Sequence, residues 1–178
     1  MEFVDAKKYK KQVKNLYKTA FPRDERYPMP FLFHKADNVN NFFYAVLEND
    51  EFVGLIYTIH TARLVFTFYL AVMEEKRGGG IGTKILNELK KMHPDKTLVL
   101  TIEDTDKKDA PNIEQRLRRL KFYEANGYAR RLIKINEAGV DFEVLATDDT
   151  VTKDEFIAMM KNYLGKFYFK IIYRNMRL

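Results

Sequence analysis

Four of the chain's eight glycines stand within five residues, in the run Glu74-Glu75-Lys76-Arg77-Gly78-Gly79-Gly80-Ile81-Gly82-Thr83. Before it lies an almost continuously apolar stretch, 63–73. After it Ile81, Ile85, Leu86, Leu89 and Met92 recur with helical spacing. Glycine at a strand-to-helix junction permits positive φ and lets the backbone approach a ligand. Successive N–H groups at the helix start form an anion nest, and the helix dipole adds to it. Arg77 brings a full positive charge beside that nest. Pyrophosphate is the guest this chemistry suits. The run is not a Walker loop, because Gly82 is followed by Thr83-Lys84 in the wrong order, and neither Gly78 nor Gly80 begins a Gly-x-Gly-x-x-Gly fingerprint. The reading without a ligand is a flexible turn, which needs neither four glycines nor an arginine.

The pattern that does fit is Arg/Gln-x-x-Gly-x-Gly/Ala, present as Arg77 to Gly82 after Leu70-Ala71-Val72. A second element follows one helix and one strand later: Arg118-Arg119-Leu120-Lys121-Phe122-Tyr123-Glu124-Ala125-Asn126-Gly127-Tyr128. Together the two resemble the acetyl-coenzyme A loop and the tyrosine-bearing helix end of the GNAT superfamily of N-acetyltransferases. The resemblance covers roughly residues 1–148. It implies acetyl-CoA as co-substrate, with Arg77, Gly78, Gly79, Gly80, Gly82 and Thr83 on the pyrophosphate and the pantetheine arm paired along the strand that ends at Val72. The Val72 N–H would polarise the thioester carbonyl. Asn112 would lie near the pantetheine; its other reading is the N-cap of its helix.

The implied chemistry is acyl transfer from a thioester to an amine. An amine is protonated at neutral pH, so a base must take its proton, and the departing thiolate needs one in return. Tyr123 is similar to the residue that supplies the second proton. Glu103, just after the strand read at 97–102, is the candidate base, with Asp104 next; the alternative for both is a solvated strand-end carboxylate. Glu25 and Tyr27, in a proline-punctuated stretch from Pro22 to Pro30, are candidates to face the acceptor. There is no cysteine, so an acyl-cysteine intermediate is excluded and a direct ternary-complex transfer is expected. His34, His60 and His93 are scattered without ligand spacing, so no metal is expected.

The elements that must position these residues follow from periodicity. Tyr9, Val13, Leu16, Tyr17 and Ala20 give an amphipathic helix over 7–20, ended by Phe21-Pro22, and a short helix follows at Phe31 to His34. Residues 41–48 and 51–59 read as a hairpin turning at Asn49-Asp50. Further strands are expected at 128–136 and 140–147, and Gly127 stands where a helix C′ residue belongs. Thr152 to Glu155 matches a capping box for a helix over 152–164, and 167–173 reads as a last strand. The resulting fold class is α/β, one domain with a central mixed, mostly antiparallel sheet of about seven strands flanked by helices. Residues 1–148 form the acetyltransferase domain, and 149–178 a helix–strand extension packed on it or, alternatively, in a homodimer interface.

With 178 residues, 46% of them hydrophobic, the chain can bury a sizeable core. No run approaches a membrane span, and the N-terminus lacks a signal-peptide pattern, so a cytoplasmic protein is expected. The net charge of +6 is concentrated at Lys7 to Lys18 and Arg116 to Arg131. These are solvated helix faces or phosphate-attracting patches; without RNA-binding aromatics, nucleic acid is not the expected partner. The expected partner is a small-molecule or peptide amine. The rival is a catalytically silent acyl-CoA sensor that keeps the pocket.

Overall fold

Asn49 and Asp50 both take positive φ, 52° and 63°, which is the turn that lets two strands pair directly. Around this turn the computed structural model, which describes residues 1–173, pairs β2 (Asn41–Glu48) with β3 (Glu51–His60) in antiparallel register. β4 (Leu64–Val72) continues the sheet beyond β3, and β1 (Glu2–Asp5) adds an edge beside β2. Gly54 is required where β3 meets β4, since a Cβ there would lie 2.6 Å from the Ala71 carbonyl oxygen. In the same pair Tyr57 faces Tyr69 while Thr58 faces Thr67, so Phe68 is the extra residue of a β-bulge.

These strands belong to the first of two compact units, Met1–Lys96 and Thr97–Leu178. In the first unit α1 (Lys10–Ala20) buries Val13, Leu16 and Tyr17, and α3 (Ile81–Met92) buries Ile81, Ile85, Leu86 and Leu89. The centres of the apolar stripes read from the sequence are buried, whereas Tyr9 and Ala20 are half-buried and Met92, at the end of α3, is exposed. α2 (Met29–Lys35) follows a proline, as a helix start allows.

The second unit holds β5 (Thr97–Glu103), α4 (Ile113–Ala125), β6 (Ala129–Glu137), β7 (Val140–Ala146), α5 (Lys153–Leu164) and α6 (Lys166–Ile172). β7 pairs antiparallel with both β5 and β6. Thr152 caps α5 by accepting the Glu155 N–H at 3.2 Å, and Phe156, Met159, Met160 and Tyr163 are buried as their spacing implied. Among the described residues there are seven strands and six α-helices, so the α/β class stands.

One expected element is different. Residues 167–173 are not a strand but the body of α6 and its C-cap Tyr173, with Phe169 and Tyr173, four apart, buried and stacked at 4.7 Å. Strand propensity counts only where alternate residues find a surface to pack on; here the buried pair is four apart, a helical spacing, while Phe167, Tyr168 and Ile171 are exposed. The last five residues of the expected extension lie outside the described ones. No helix among the described residues is long and apolar enough to cross a membrane.

Candidate active site

In the first unit, β4 runs through a 3-10 turn at Glu74–Lys76 into the glycine loop and α3. Gly78 and Gly80 have φ of 79° and 77°, a region that L side chains rarely enter, and Gly80 is the N-cap of α3. Gly80 has no side chain to cap the first turn, which also contains no acidic residue. The N–H groups there keep the positive end of a twelve-residue helix clear for an anion. No atom lies within 4 Å of the Cβ positions of Gly78 and Gly80, so their need for glycine comes from the backbone and not from packing. The loop is anchored on both sides to the tip of the β2–β3 hairpin: Lys76 pairs with Glu51 and Lys84 with Glu48, each at 2.6 Å. Arg77 folds back, its Nε donating to the carbonyl of Val72 at 3.1 Å. The structure thus brings together Val72, Arg77 and the loop glycines, with Thr83 in the first turn that follows.

The stretch holding Glu25 and Tyr27 is strapped to β4 beside its bulge. The Tyr69 hydroxyl donates to the Glu25 carbonyl at 2.8 Å and accepts from the Tyr27 N–H at 3.2 Å. The Tyr17 hydroxyl donates to the Tyr27 carbonyl at 3.1 Å. The Tyr27 ring meets Phe68 of the bulge edge-on at 5.2 Å and stacks on Phe31 at 5.7 Å.

In the second unit, Glu103 ends β5 with 5% of its surface exposed. Both of its carboxylate oxygens are engaged. Asn112 Nδ2 donates to Oε1 at 2.8 Å, where Arg116 also approaches to 3.1 Å, and Arg119 donates to Oε2 at 2.5 Å. Asn112 does not cap α4 with its side chain; its Oδ1 instead accepts from Arg116 Nε at 2.8 Å. Arg116 and Arg119, three apart on one face of α4, were read from the sequence only as part of a basic cluster. Their spacing places both on one helix face, and that was the available signal that they act together. Asp104, the second candidate base, pairs with Lys134. Arg130 pairs with Asp106 and with the buried Glu143, which also accepts from the Thr105 hydroxyl.

Tyr123 lies two residues before the end of α4. Desolvation raises its phenol to about 12, against which the positive charge of Arg119 acts. Gly127, at φ 84°, turns the chain back, and the Tyr128 ring packs 5.9 Å from that of Tyr123. Among the described residues no three His, Cys, Asp or Glu side chains are grouped to hold a metal.

The first unit thus carries a glycine nest on a helix start, and the second a desolvated phenol near a helix end. Residues 39–130, half of the chain, match the family model of the Acetyltransferase (GNAT) domain, so the chain belongs to that family and is an acyltransferase. No curated protein matches the sequence significantly. Solved structures do resemble it. A protein described as a GNAT-family acetyltransferase from Bacteroides thetaiotaomicron aligns at TM-score 0.74 and 18% identity, covering 94% of this chain and 98% of its own. The aminoglycoside 6'-N-acetyltransferase from Enterococcus faecium aligns at 0.62 and 19%, covering 86% of this chain and 98% of its own. Naa50 of Arabidopsis thaliana, solved with the bisubstrate analogue CoA-Ac-MVNAL, aligns at 0.62 and 23%, covering 83% and 96%. At these identities the likeness speaks for the fold.

Proposed function

We propose that the chain is an N-acetyltransferase that moves an acetyl group from acetyl-CoA to an amine by direct attack in a ternary complex. The observation that carries this reading is the loop from Arg77 to Thr83, whose positive-φ glycines and uncapped helix start suit a pyrophosphate. The nitrogen acceptor is supported by the similar structures, one an N-acetyltransferase by name and one holding a CoA–acetyl–peptide analogue. Absence of cysteine favours attack by the amine itself over an acyl-enzyme.

In this mechanism the nest and Arg77 hold the pyrophosphate, and the Val72 N–H polarises the thioester carbonyl. Asn112 lies beside the pantetheine arm, held in place by Glu103 and Arg116. As the carbon–sulfur bond breaks, Tyr123 gives its proton to the leaving sulfur. Each Glu103 oxygen already faces an arginine, which favours Glu103 as the anchor of Asn112, Arg116 and Arg119 over Glu103 as base. With Glu103 so engaged, water takes one proton from the acceptor ammonium before it attacks and a second as the amide forms.

The test is thiol release when the protein is mixed with acetyl-CoA and a panel of amines that includes aminoglycosides, polyamines and short peptides. Release that depends on one amine class supports the reading and names the acceptor. Thermal stabilisation by acetyl-CoA with no release for any amine would make the chain a binding module instead.

A further inference from the structure

The turn that ends α4 decides where a second phenol lies. The Tyr128 N–H bonds the Tyr123 carbonyl at 3.1 Å, and the Gly127 N–H bonds the Glu124 carbonyl at 3.0 Å, with Gly127 left-handed between them. This is the Schellman pattern, in which the residue after the glycine packs against the third residue before the cap. In this chain both positions carry tyrosine, with ring planes at 68°. Tyr128 is 3% exposed, and its hydroxyl is buried with no hydrogen-bond partner among the described residues. An unpaired buried hydroxyl is destabilising, and phenylalanine would fill the same place without that cost. Packing therefore does not account for the oxygen.

We propose that the Tyr128 hydroxyl is a positioning donor for Tyr123, giving a hydrogen bond to the Tyr123 oxygen as that oxygen becomes negative. The proposal rests on the acetyl-transfer reading above. The proton balance is simple. The Tyr123 O–H bond breaks as the S–H bond of the leaving thiol forms, leaving a phenolate. Tyr128 keeps its own proton throughout. The acceptor nitrogen, an ammonium at the outset, loses two protons to water, one before attack and one as the amide forms; Tyr123 regains one from water, and the net release is one proton. A neutral phenol is a weak acceptor and a phenolate a strong one, so the bond, not made at rest, forms as charge develops in the transition state, where it accelerates the step. Burial and the neighbouring Tyr123 both raise the Tyr128 phenol, which keeps it a donor at any working pH. Arg119 acts on Tyr123 in the same sense as the proposed bond.

The experiment compares the parent, Tyr128→Phe, Tyr123→Phe and the double variant, using acetyl-CoA and the panel amine that gives the fastest thiol release with the parent. Tyr128→Phe is expected to melt higher, by roughly 2–4 °C, because it removes an unpaired buried group. Its kcat is expected to fall by roughly tenfold, with KM for acetyl-CoA unchanged. In the Tyr123→Phe background, Tyr128→Phe should cost nothing further, because its effect passes through the phenol already removed. Parent-like kcat in Tyr128→Phe, a lowered melting temperature, or the same loss in both backgrounds would each overturn the proposal. A parent that releases no thiol with any amine overturns the acetyl-transfer reading itself and takes this inference with it.

Discussion

Replacing Tyr123 by Phe separates the proton from everything else the residue does. The ring that meets Phe122 at 5.1 Å and Tyr128 at 5.9 Å is kept, as is the backbone carbonyl that closes α4. Folding and acetyl-CoA binding are therefore expected to survive. The magnitude follows from the desolvated phenol at about 12 and a free thiol near 8.5. Moving a proton from that phenol to a thiolate in water would be uphill by about 3.5 units, or roughly 5 kcal/mol. Tyr123 therefore shares its proton as the carbon–sulfur bond stretches, and burial of the thiolate narrows the gap by raising its own affinity for protons. General acids contribute about 10²–10⁴-fold, and this mismatch with a good leaving group places Tyr123 at or just below the low end. Turnover in Tyr123→Phe should fall about 10–100-fold at pH 7, read as steady-state thiol release after a pre-steady-state measurement shows chemistry to be rate-limiting. The pH profile supplies a second reading. Because the phenol stays protonated until about 12, parent kcat should show no alkaline decline from Tyr123 between pH 9 and 10.5. Equal turnover in parent and variant refutes the assignment, and a decline near pH 10 that disappears in the variant refutes the desolvation argument.

Gly80→Asp should lose the thermal stabilisation given by acetyl-CoA, because it places a carboxylate at the nest. Gly139→Asp, at a turn with φ 93° and equally open space, bears similar backbone strain of about 1–2 kcal/mol and should keep that stabilisation. Glu103→Gln removes the buried charge that faces two arginines; chemical denaturation should show a loss of about 2–4 kcal/mol, and a fully stable variant would contradict the anchoring role. His60 is held to about 4 by burial first, then by the charges of His93 and Lys96. The unfolded chain takes up that proton near 6.5 and the folded one does not, so stability present above pH 6.5 is lost as pH falls toward 4, by up to about 3 kcal/mol. Urea melts at pH 7 and 5 should show that slope in the parent and a flatter one in His60→Gln; equal slopes would remove His60 as the cause.

What the sequence disclosed, and what it hid, divides along a physical line. The glycine loop, the Asn49-Asp50 turn, the Thr152 cap and the role of Gly127 were all legible, because each is a local backbone requirement met by residues adjacent in sequence. β1 escaped notice since four residues carry too little periodicity, and it exists through its pairing with β2, some forty positions away. α6 was misread because its aromatic run has strand propensity, and only burial of Phe169 with Tyr173 decides for the helix.

The same division runs through the site. Tyr123 was visible by its place in a motif, but the arrangement around Glu103 was not, because it depends on a strand end lying under one face of α4. A carboxylate read as a free base becomes, once Asn112, Arg116 and Arg119 surround it, a fixed negative centre that orients an amide and two guanidinium groups. In the proposed mechanism Glu103 would act through Arg119, whose charge lowers the cost of making Tyr123 negative. The Tyr128 ring packs on the Tyr123 ring by way of the helix-closing turn. Removing Arg119 and its charge should slow the Tyr123-dependent step more than its half-exposed position suggests, whereas removing the neighbouring exposed Arg118 should not.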